Sequence, residues 1–192
     1  PINLIFSIVQ LLEVNLMEVP LDNKNMKRYM RVLRQNCYRM LRLINNLIDI
    51  TKMDSGYLKL CFKNYNIINV VEDIVLSTAE YMDSKGINLL FDTDVEEKIM
   101  AIDAHMIERV ILNLLSNAIK FTDPGGEIVV NIENKDDHII ISVTDTGIGI
   151  PKEKQKIIFD RFGQVDRSQT RNRQGSGLGL SLAQSIIEMH GG

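Results

Sequence analysis

Hydrophobic residues recur at helical spacing over two stretches at the start of the chain. Apolar residues dominate from Ile2 to about Met17, and the stretch around Pro20 predicts a turn. The second stretch carries apolar or small residues at alternating steps of four and three, at Met26, Met30, Leu33, Cys37, Met40, Ile44, Leu47 and Thr51. This heptad seam predicts a helix of roughly 40 Å, too long for the first helix to cover alone. We therefore expect a helical hairpin whose seam, with Cys37 as a small core hydrophobe, is covered by a second copy of the chain.

The period changes after Asp54, Ser55 and Gly56, which predict the end of the long helix. The pattern beyond them predicts strands over 58–62, 87–92, 98–102, 128–133 and 138–144, and helices over 67–82, 152–162 and 181–190. A further helix, with Asp103 as its N-cap, precedes a turn at 123–126. This mixture predicts a second domain of the α+β class.

The helix that follows Asp103 carries the first candidate for chemistry. Asn113, Asn117 and Lys120 are four and three residues apart, so they project together from a face other than the apolar one. A carboxamide oxygen is a neutral ligand that suits Mg²⁺, which usually completes its shell with water and substrate phosphates, and Lys120 can hold a phosphate. A solvated polar stripe is the alternative that these residues leave open.

The loop after the last predicted strand is the second candidate. Asp145 is followed by Gly147 and Gly149, and glycines allow a ligand to approach the backbone. A carboxylate here can accept hydrogen bonds from an exocyclic amine, which favours adenine over guanine. A glycine turn capped by Asp145 is the alternative.

A polar stretch over 163–174 has no hydrophobic period and contains Arg167, Arg171 and Arg173. Connections of this length without secondary structure are usually functional lids or disordered segments. A solvated charge run is the first interpretation, and a lid that closes over phosphate is the second. Phe159 and Phe162 precede it on the apolar side of the predicted helix 152–162, where we expect both rings to pack in the core.

The glycines at 175, 177 and 179, followed by Leu180, open the last predicted helix. Backbone amides at such a helix start suit phosphate oxygens. A dinucleotide-binding fold also has glycines before a helix, but there they follow a strand, whereas polar and irregular residues precede them here.

Composition and charge narrow the functional classes. The chain has 192 residues, 45% of them hydrophobic and 24% charged, which is ordinary for a globular protein of one or two domains. Its net charge of −3 argues against nucleic acid as the main partner. Cys37 and Cys61 lack metal-ligand spacing, so we expect a reduced, cytosolic setting. No apolar run reaches the roughly 20 residues that a membrane span needs.

Taken in order, four motifs resemble the N, first G, F and second G boxes of the sensor histidine kinases. They are Asn113-x-x-x-Asn117-Ala-x-Lys120-Phe-Thr, Asp145-x-Gly147-x-Gly149, Phe159-x-x-Phe162 and Gly175-x-Gly177-Leu-Gly179-Leu. The resemblance covers nearly the whole chain. It implies that residues 1–55 form an all-α dimerisation and histidine-phosphotransfer hairpin, as a dimeric four-helix bundle. It also implies that residues 56–192 form an α+β two-layer sandwich that binds ATP, shared with DNA gyrase and the heat-shock chaperone ATPases, without its last strands.

The resemblance implies a role for each motif residue. Asn117 would bind Mg²⁺, Asn113 and Lys120 would contact nucleotide phosphates, and Asp145 would read the adenine amine. The other implied residues are Gly147 and Gly149 beside the base, Gly175, Gly177, Gly179 and Leu180 at the phosphates, Phe159 and Phe162 at the near end of the lid, and Arg167, Arg171 and Arg173 within it.

Three departures from the family pattern matter. The family's phosphate-accepting histidine lies a few residues before a proline that Pro1 resembles, so we expect the acceptor upstream of Pro1. None of His105, His138 and His190 fits that pattern. The family usually continues with closing strands beyond the end of this chain. Where many relatives have Arg or Lys at the third position of the pattern Phe-x-Arg-Val-Asp, this chain has Gln164.

The resemblance implies a kinase core that binds MgATP and transfers the γ-phosphate to histidine, from which it passes to an Asp of a response-regulator receiver domain. It implies a homodimer in the cytoplasm, with any membrane anchor outside this chain. Two rivals remain. An ATP hydrolase of the same superfamily would carry a Glu as general base at position 113. This chain has Asn113 there, and a carboxamide cannot take up the proton. A non-catalytic dimeric scaffold would dock partners with a vestigial nucleotide pocket.

Overall fold

The structure, a computed structural model, describes residues 3–10, 23–163 and 177–192, and the chain divides into two compact units, Pro1–Asp54 and Ser55–Gly192. In the first unit, residues 3–10 are helical (α1) and Asn23–Asp54 form the long helix α2. The predicted helix over the heptad seam is thus confirmed and extends three residues beyond it at each end. Gly56, with a φ of 69°, follows the end of α2. The predicted turn around Pro20 lies outside the described residues.

Helix α2 has three distinct faces. Asn36 and Ile50 are buried, and the Asn36 side-chain amide donates to the carbonyl oxygen of Val32 at 2.8 Å. A second face leaves apolar side chains of the predicted seam exposed, namely Met30, Ile44 and Leu47, with Cys37 among them. Lys27, Arg31 and Arg34 lie exposed along a third face. The expected burial of Cys37 therefore depends on a second copy of the chain and stays a prediction.

Within the described residues of the second unit, the strands form two small sheets. Strands β1 (Lys63–Asn66) and β3 (Ile99–Ile102) pair antiparallel. In the other sheet the order is β2-β4-β5, formed by Asn88–Thr93, Glu127–Asn134 and Ile139–Asp145; β2 is parallel to β4, and β5 is antiparallel to β4.

The predicted strand over 58–62 is wrong, because β1 begins only at Lys63. The backbone N–H of Cys61 donates to the Asp103 carboxylate rather than to a neighbouring strand, and the Phe62 ring packs edge-on against the ring of His190. The other four predicted strands are present, and each of their ends lies within one residue of its predicted position.

The described part of the second unit also contains three α-helices, namely α3 (Ile67–Asp83), α4 (Ala104–Phe121) and α5 (Gly179–Met189). Asp103 caps α4 as predicted, since its carboxylate accepts the N–H of Met106. The predicted helix over 152–162 is wrong: this stretch forms two short 3₁₀ turns, Lys152–Lys154 and Ile157–Phe159. The extended backbone of Asp160 ends the second turn before an α-helix can develop.

Helices α3 and α4 cover one face of the three-stranded sheet, which gives a two-layer sandwich and confirms the α+β class. Its core lies between Val71 and Val75 of α3, Ile111 and Leu115 of α4, and alternate residues of β4. The buried β4 residues are Ile128, Val130 and Ile132. Helix α5 packs against α4 and buries Leu182 and Ile186. In the described part of the chain, no helix combines the length and apolar character needed to cross a bilayer.

Candidate functional site

Helix α4 displays the first group of candidate residues. Its apolar side, with Ile111 and Leu115, faces the sheet, while the other sides hold Asn113, Asn117 and Lys120. Asn113 is 8% exposed, and Asn117 and Lys120 are half-buried. The three polar side chains therefore follow one another up successive turns of a firmly packed helix.

Lys120 sits in a partly dehydrated position near the end of α4. Its ammonium nitrogen lies 4.4 Å from the centre of the Phe121 ring. Burial lowers the pKa of Lys120 below its ordinary value of 10.5. A charge with reduced hydration attracts an anion more strongly than one in bulk water, so Lys120 suits a phosphate group.

The Asp145 loop lies directly against the C-terminal end of α4. The N–H of Ile148 donates to the carbonyl oxygen of Phe121 at 3.4 Å, and the N–H of Gly147 donates to Asp145 Oδ1 at 2.9 Å. A Cβ at Gly147 would lie 2.5 Å from the Phe121 oxygen and 2.6 Å from Asp145 Oδ1, so only glycine fits. Asp145 is thereby oriented through one oxygen, and its second oxygen can accept from a ligand.

Gly149 differs from Gly147 in its surroundings. It has a φ of +67°, and a Cβ there would meet no heavy atom within 4 Å. The space beside this residue is therefore open, as the implied position next to a base requires.

The start of α5 meets α4 at Asn113. A Cβ at Gly179 would lie 3.1 Å from Asn113 Oδ1, so the absence of a side chain allows the helix start to approach the carboxamide. Gly177 (φ +69°) accepts the N–H of Phe162 through its carbonyl oxygen at 2.9 Å, and Leu178 between the two glycines is buried. Leu180 is half-buried in the first turn. Both glycine motifs thus adjoin α4, one at Asn113 and the other at Phe121.

The expectation that both phenylalanine rings pack in the core is wrong. Phe159 is 45% exposed and Phe162 is 62% exposed, and Phe162 adopts a left-handed backbone with φ 63°. Phe159 lines a shallow groove against α5, beside Lys156 and Gln184. The predicted residues Gly175, Arg167, Arg171 and Arg173, together with Gln164, lie outside the described residues.

The three histidines have different surroundings. His105 is exposed 3.4 Å from Glu108, and exposed His138 neighbours Asp137. His190 does not fit the pattern of a phosphate acceptor, and its ring accepts the backbone N–H of Asp103. Sequence reasoning missed this pairing, because the contact joins residues 87 positions apart. The placement of His190 between a helix end and two glycines is its only local signal.

The described residues contain no group of three or more His, Cys, Asp or Glu side chains arranged to hold a metal ion. A magnesium ion at α4 would therefore take few protein ligands and would depend on the Asn117 carboxamide, water and phosphate oxygens. That donor set fits the usual coordination of Mg²⁺ in nucleotide sites.

Residues 102–192 match the family described as histidine kinase-, DNA gyrase B-, and HSP90-like ATPase. Hybrid signal transduction histidine kinase D of Dictyostelium discoideum is 37% identical over 177 residues, covering 88% of this chain and 11% of that protein. The non-motile and phage-resistance protein of Caulobacter vibrioides is 36% identical, covering 100% of this chain and 23% of that protein. The chain thus spans a small part of these curated relatives.

A solved structure agrees with this match. The catalytic domain of histidine kinase ThkA is 30% identical, with a TM-score of 0.60 over 67% of this chain and 81% of that chain. The chain therefore belongs to the histidine kinase family and carries its ATP-binding domain, as these relatives, the α+β sandwich and the two glycine motifs beside α4 together indicate.

Proposed function

We propose that this chain is a kinase core that binds MgATP and transfers the γ-phosphate to a histidine of its own protein, which we place upstream of Pro1. The observation that supports this most directly is the contact of both glycine motifs with α4, through Gly179 at Asn113 and through Gly147 at Phe121. Three groups with different chemistry then border the same helix: carboxamides with an ammonium, a carboxylate, and a glycine-rich helix start.

Each group suits one part of ATP. Asp145, held by the Gly147 amide, accepts the exocyclic amine of adenine. Asn113, Lys120 and the start of α5 contact the phosphates. Mg²⁺, held by Asn117 and phosphate oxygens, would neutralise charge on the phosphates.

The reaction joins an imidazole nitrogen to the γ-phosphorus. A P–N bond forms while the bond to the bridging oxygen breaks, ADP leaves, and the imidazole gives up its N–H proton. Such transfer asks the protein mainly for alignment and charge neutralisation. The residues of α4 and the Asp145 loop hold ATP in place. The junction of Asp54, Ser55 and Gly56 is the proposed hinge about which the ATP-binding domain moves to its acceptor.

Hydrolysis is the less favoured activity. A hydrolase needs a general base beside the attacking water. Asn113 occupies the position four residues before Asn117, and a carboxamide takes no proton at neutral pH. A scaffold without activity is also less favoured, because the four nucleotide-binding motifs are intact in the sequence.

We assign residues 1–55 to a dimerisation and phosphotransfer hairpin and residues 56–192 to the ATP-binding domain. The exposed apolar face of α2 supports a homodimer in which two hairpins form a four-helix bundle. Met30, Ile44 and Leu47 would be buried between the two copies.

The proposed partner is the receiver domain of a response regulator. Histidine kinase ThkA has been solved in complex with response regulator protein TrrA, and full-length ShkA has been solved in complex with AMPPNP. These structures are 23% and 22% identical to this chain, so they support the fold and suggest the partner class. We place the chain in the cytoplasm, with any membrane anchor in segments outside it.

The test uses a chain extended upstream to include the histidine. Labelled MgATP should give an acid-labile protein phosphate, and Asn117→Ala should abolish the label. Steady release of inorganic phosphate without labelled protein would favour the hydrolase. A chain that fails to bind MgATP at all would favour the scaffold.

A further inference from the structure

Asp103 is a meeting point of three separate parts of the second unit. Its carboxylate accepts the N–H of Cys61 at 2.9 Å through Oδ2 and the N–H of Met106 at 3.2 Å through Oδ1. Its own N–H donates to Nε2 of His190 at 3.1 Å. The segment before β1, the start of α4 and the end of α5 are therefore all bonded to one residue that is 9% exposed.

Both ring nitrogens of His190 are engaged. Because Nε2 accepts the N–H of Asp103, Nδ1 carries the proton and lies 2.8 Å from the carbonyl oxygen of Ile186, which accepts it. The ring also packs edge-on against Phe62, with centroids 5.3 Å apart. These contacts assign the neutral Nδ1–H tautomer and fix the ring between α5 and the start of α4.

Helices α4 and α5 are thus joined at two places. Gly179 at the start of α5 abuts Asn113, and His190 at its end bonds to Asp103. The two points are about 15 Å apart along α4 and about 16 Å apart along α5 at 1.5 Å per residue. Because these two distances are nearly equal, α4 and α5 can run antiparallel and meet at both points without either helix bending. A slip of α5 at His190 therefore moves Gly179 along α4, away from Asn113.

We propose that Asp103 and His190 are positioning residues for the nucleotide site. Their bond sets the register of α5 on α4 and so keeps the glycine-rich helix start against Asn113. The Cys61 N–H ties the entering segment to the same point. This inference rests on the proposed ATP-binding function, since it assigns residues that position the same site from its far side.

The electrostatics of Asp103 agree with this geometry. Burial raises its pKa, but the backbone N–H groups of Cys61, Met106 and His105 outweigh burial and lower the pKa below its ordinary value of 3.8. The carboxylate is therefore charged at neutral pH and holds its hydrogen bonds with the strength of an ionised acceptor.

Two substitutions of His190 separate its two bonds. In His190→Gln the amide reaches the place of Nε2 and can accept the Asp103 N–H. In His190→Asn the shorter amide reaches only the place of Nδ1 and can bond Ile186 alone. We expect the dissociation constant of the chain for MgATP to rise about fivefold in His190→Asn, the effect of one lost hydrogen bond, and to stay within about twofold in His190→Gln.

Calorimetric titration of MgATP measures the affinities, and thermal unfolding shows whether the two variants are equally folded. Hydrogen exchange of the Asp103 amide should accelerate in His190→Asn alone. Equal loss of affinity in both variants would mean that the ring serves only to pack against Phe62 and would overturn the proposal. Unchanged affinity in His190→Asn would overturn it as well.

A second pair of variants tests the bond from Cys61. Cys61→Pro removes the backbone N–H, and Cys61→Ala keeps it. We expect weaker MgATP binding in Cys61→Pro only; equal binding in the two variants would remove this bond from the proposal. If the parent chain binds no MgATP, the proposed function fails, whereas normal parent binding with unaffected variants refutes only the positioning role.

Discussion

Gly147→Ala tests whether the Asp145 loop must lie directly on α4 for nucleotide to bind. The new Cβ would lie 2.5 Å from the Phe121 carbonyl oxygen, inside the 3.0 Å below which such contacts essentially do not occur. The loop must therefore move away from α4 by roughly half an ångström or more. Forced contacts of this kind cost about 1–3 kcal/mol. For a unit of this size the thermal midpoint should fall by on the order of 4–12 °C.

The same shift displaces Asp145, because the Cβ would also lie 2.6 Å from its Oδ1. A hydrogen bond from the adenine amine to a carboxylate contributes about 1.5–3 kcal/mol. Its loss should weaken ATP binding by roughly 10- to 150-fold in a calorimetric titration. The discrimination between ATP and GTP should shrink by a similar factor, since the proposed role of Asp145 is to accept the exocyclic amine of adenine.

Gly86→Ala provides the control for lost stability. Gly86 has a φ of +68°, and its Cβ would meet Pro124 at 3.6 Å and the Gly125 nitrogen at 4.0 Å, which are ordinary contacts. The change costs about 1–2 kcal/mol through backbone conformation alone. ATP affinity, measured well below the unfolding temperature, should therefore match that of the parent chain. If Gly147→Ala binds ATP as tightly as Gly86→Ala, the Asp145 loop does not form the adenine site.

Four further predictions address other groups. Asn117→Ala should make ATP binding insensitive to Mg²⁺, so that EDTA weakens titrations of the parent chain but not of the variant. Lys120→Met should weaken ATP binding without lowering stability in urea unfolding, because burial lowers the Lys120 pKa and the charged form is less favourable in the folded chain than in the unfolded one at neutral pH. Asp103→Asn should lower the free energy of unfolding at neutral pH and make unfolding less dependent on pH in acid. Burial raises the Asp103 pKa, but the backbone hydrogen bonds lower it by more, so the folded pKa lies below 3.8. The carboxylate therefore stabilises the fold above pH 3.8, and this stabilisation is lost as the pH falls through the folded pKa. Ile44→Glu should convert dimers into monomers in sedimentation equilibrium, because it places a charge in the apolar seam.

Each of these predictions has a contrary outcome. Continued Mg²⁺ dependence in Asn117→Ala would exclude it as the ligand. A large stability loss in Lys120→Met would mean that the ammonium has a structural role. An unchanged acid transition in Asp103→Asn would show that its bonds contribute little. Dimers that survive Ile44→Glu would place the dimer contact elsewhere.

The sequence predicted α4 well because its determinants are local. An N-cap at Asp103 and apolar residues at helical spacing fix its start and its buried side, which leaves Asn113 and Asn117 on another side. The β4–β5 hairpin could be predicted equally well, because its alternating apolar residues and its polar turn lie within one short stretch of sequence. The glycine motifs could be recognised as well, because the absence of side chains at Gly147 and Gly179 is itself visible in the sequence.

The errors came partly from long-range contacts and partly from a local break in the backbone at Asp160. The alternating residues before β1 have the pattern of a strand, but the Cys61 N–H is taken by Asp103, 42 positions away. Apolar spacing from Ile157 to Phe162 suggested a helix, yet the backbone there turns in 3₁₀ steps and leaves both phenylalanine rings exposed. Apart from the position of His190 between a helix end and two glycines, the bond from Asp103 to His190 had no local signature, because it depends on how α5 lies on α4.

The apolar and basic faces of α2 should respond differently to ionic strength when a partner binds to this helix. Contacts between apolar side chains such as Met30 and Ile44 persist or strengthen in concentrated salt. Contacts made through Lys27, Arg31 and Arg34 weaken, because added ions screen exposed charges within about 10 Å at 0.1 M salt. A salt series followed by sedimentation would therefore tell, without any substitution, whether a complex forms on the apolar or the basic side of this helix.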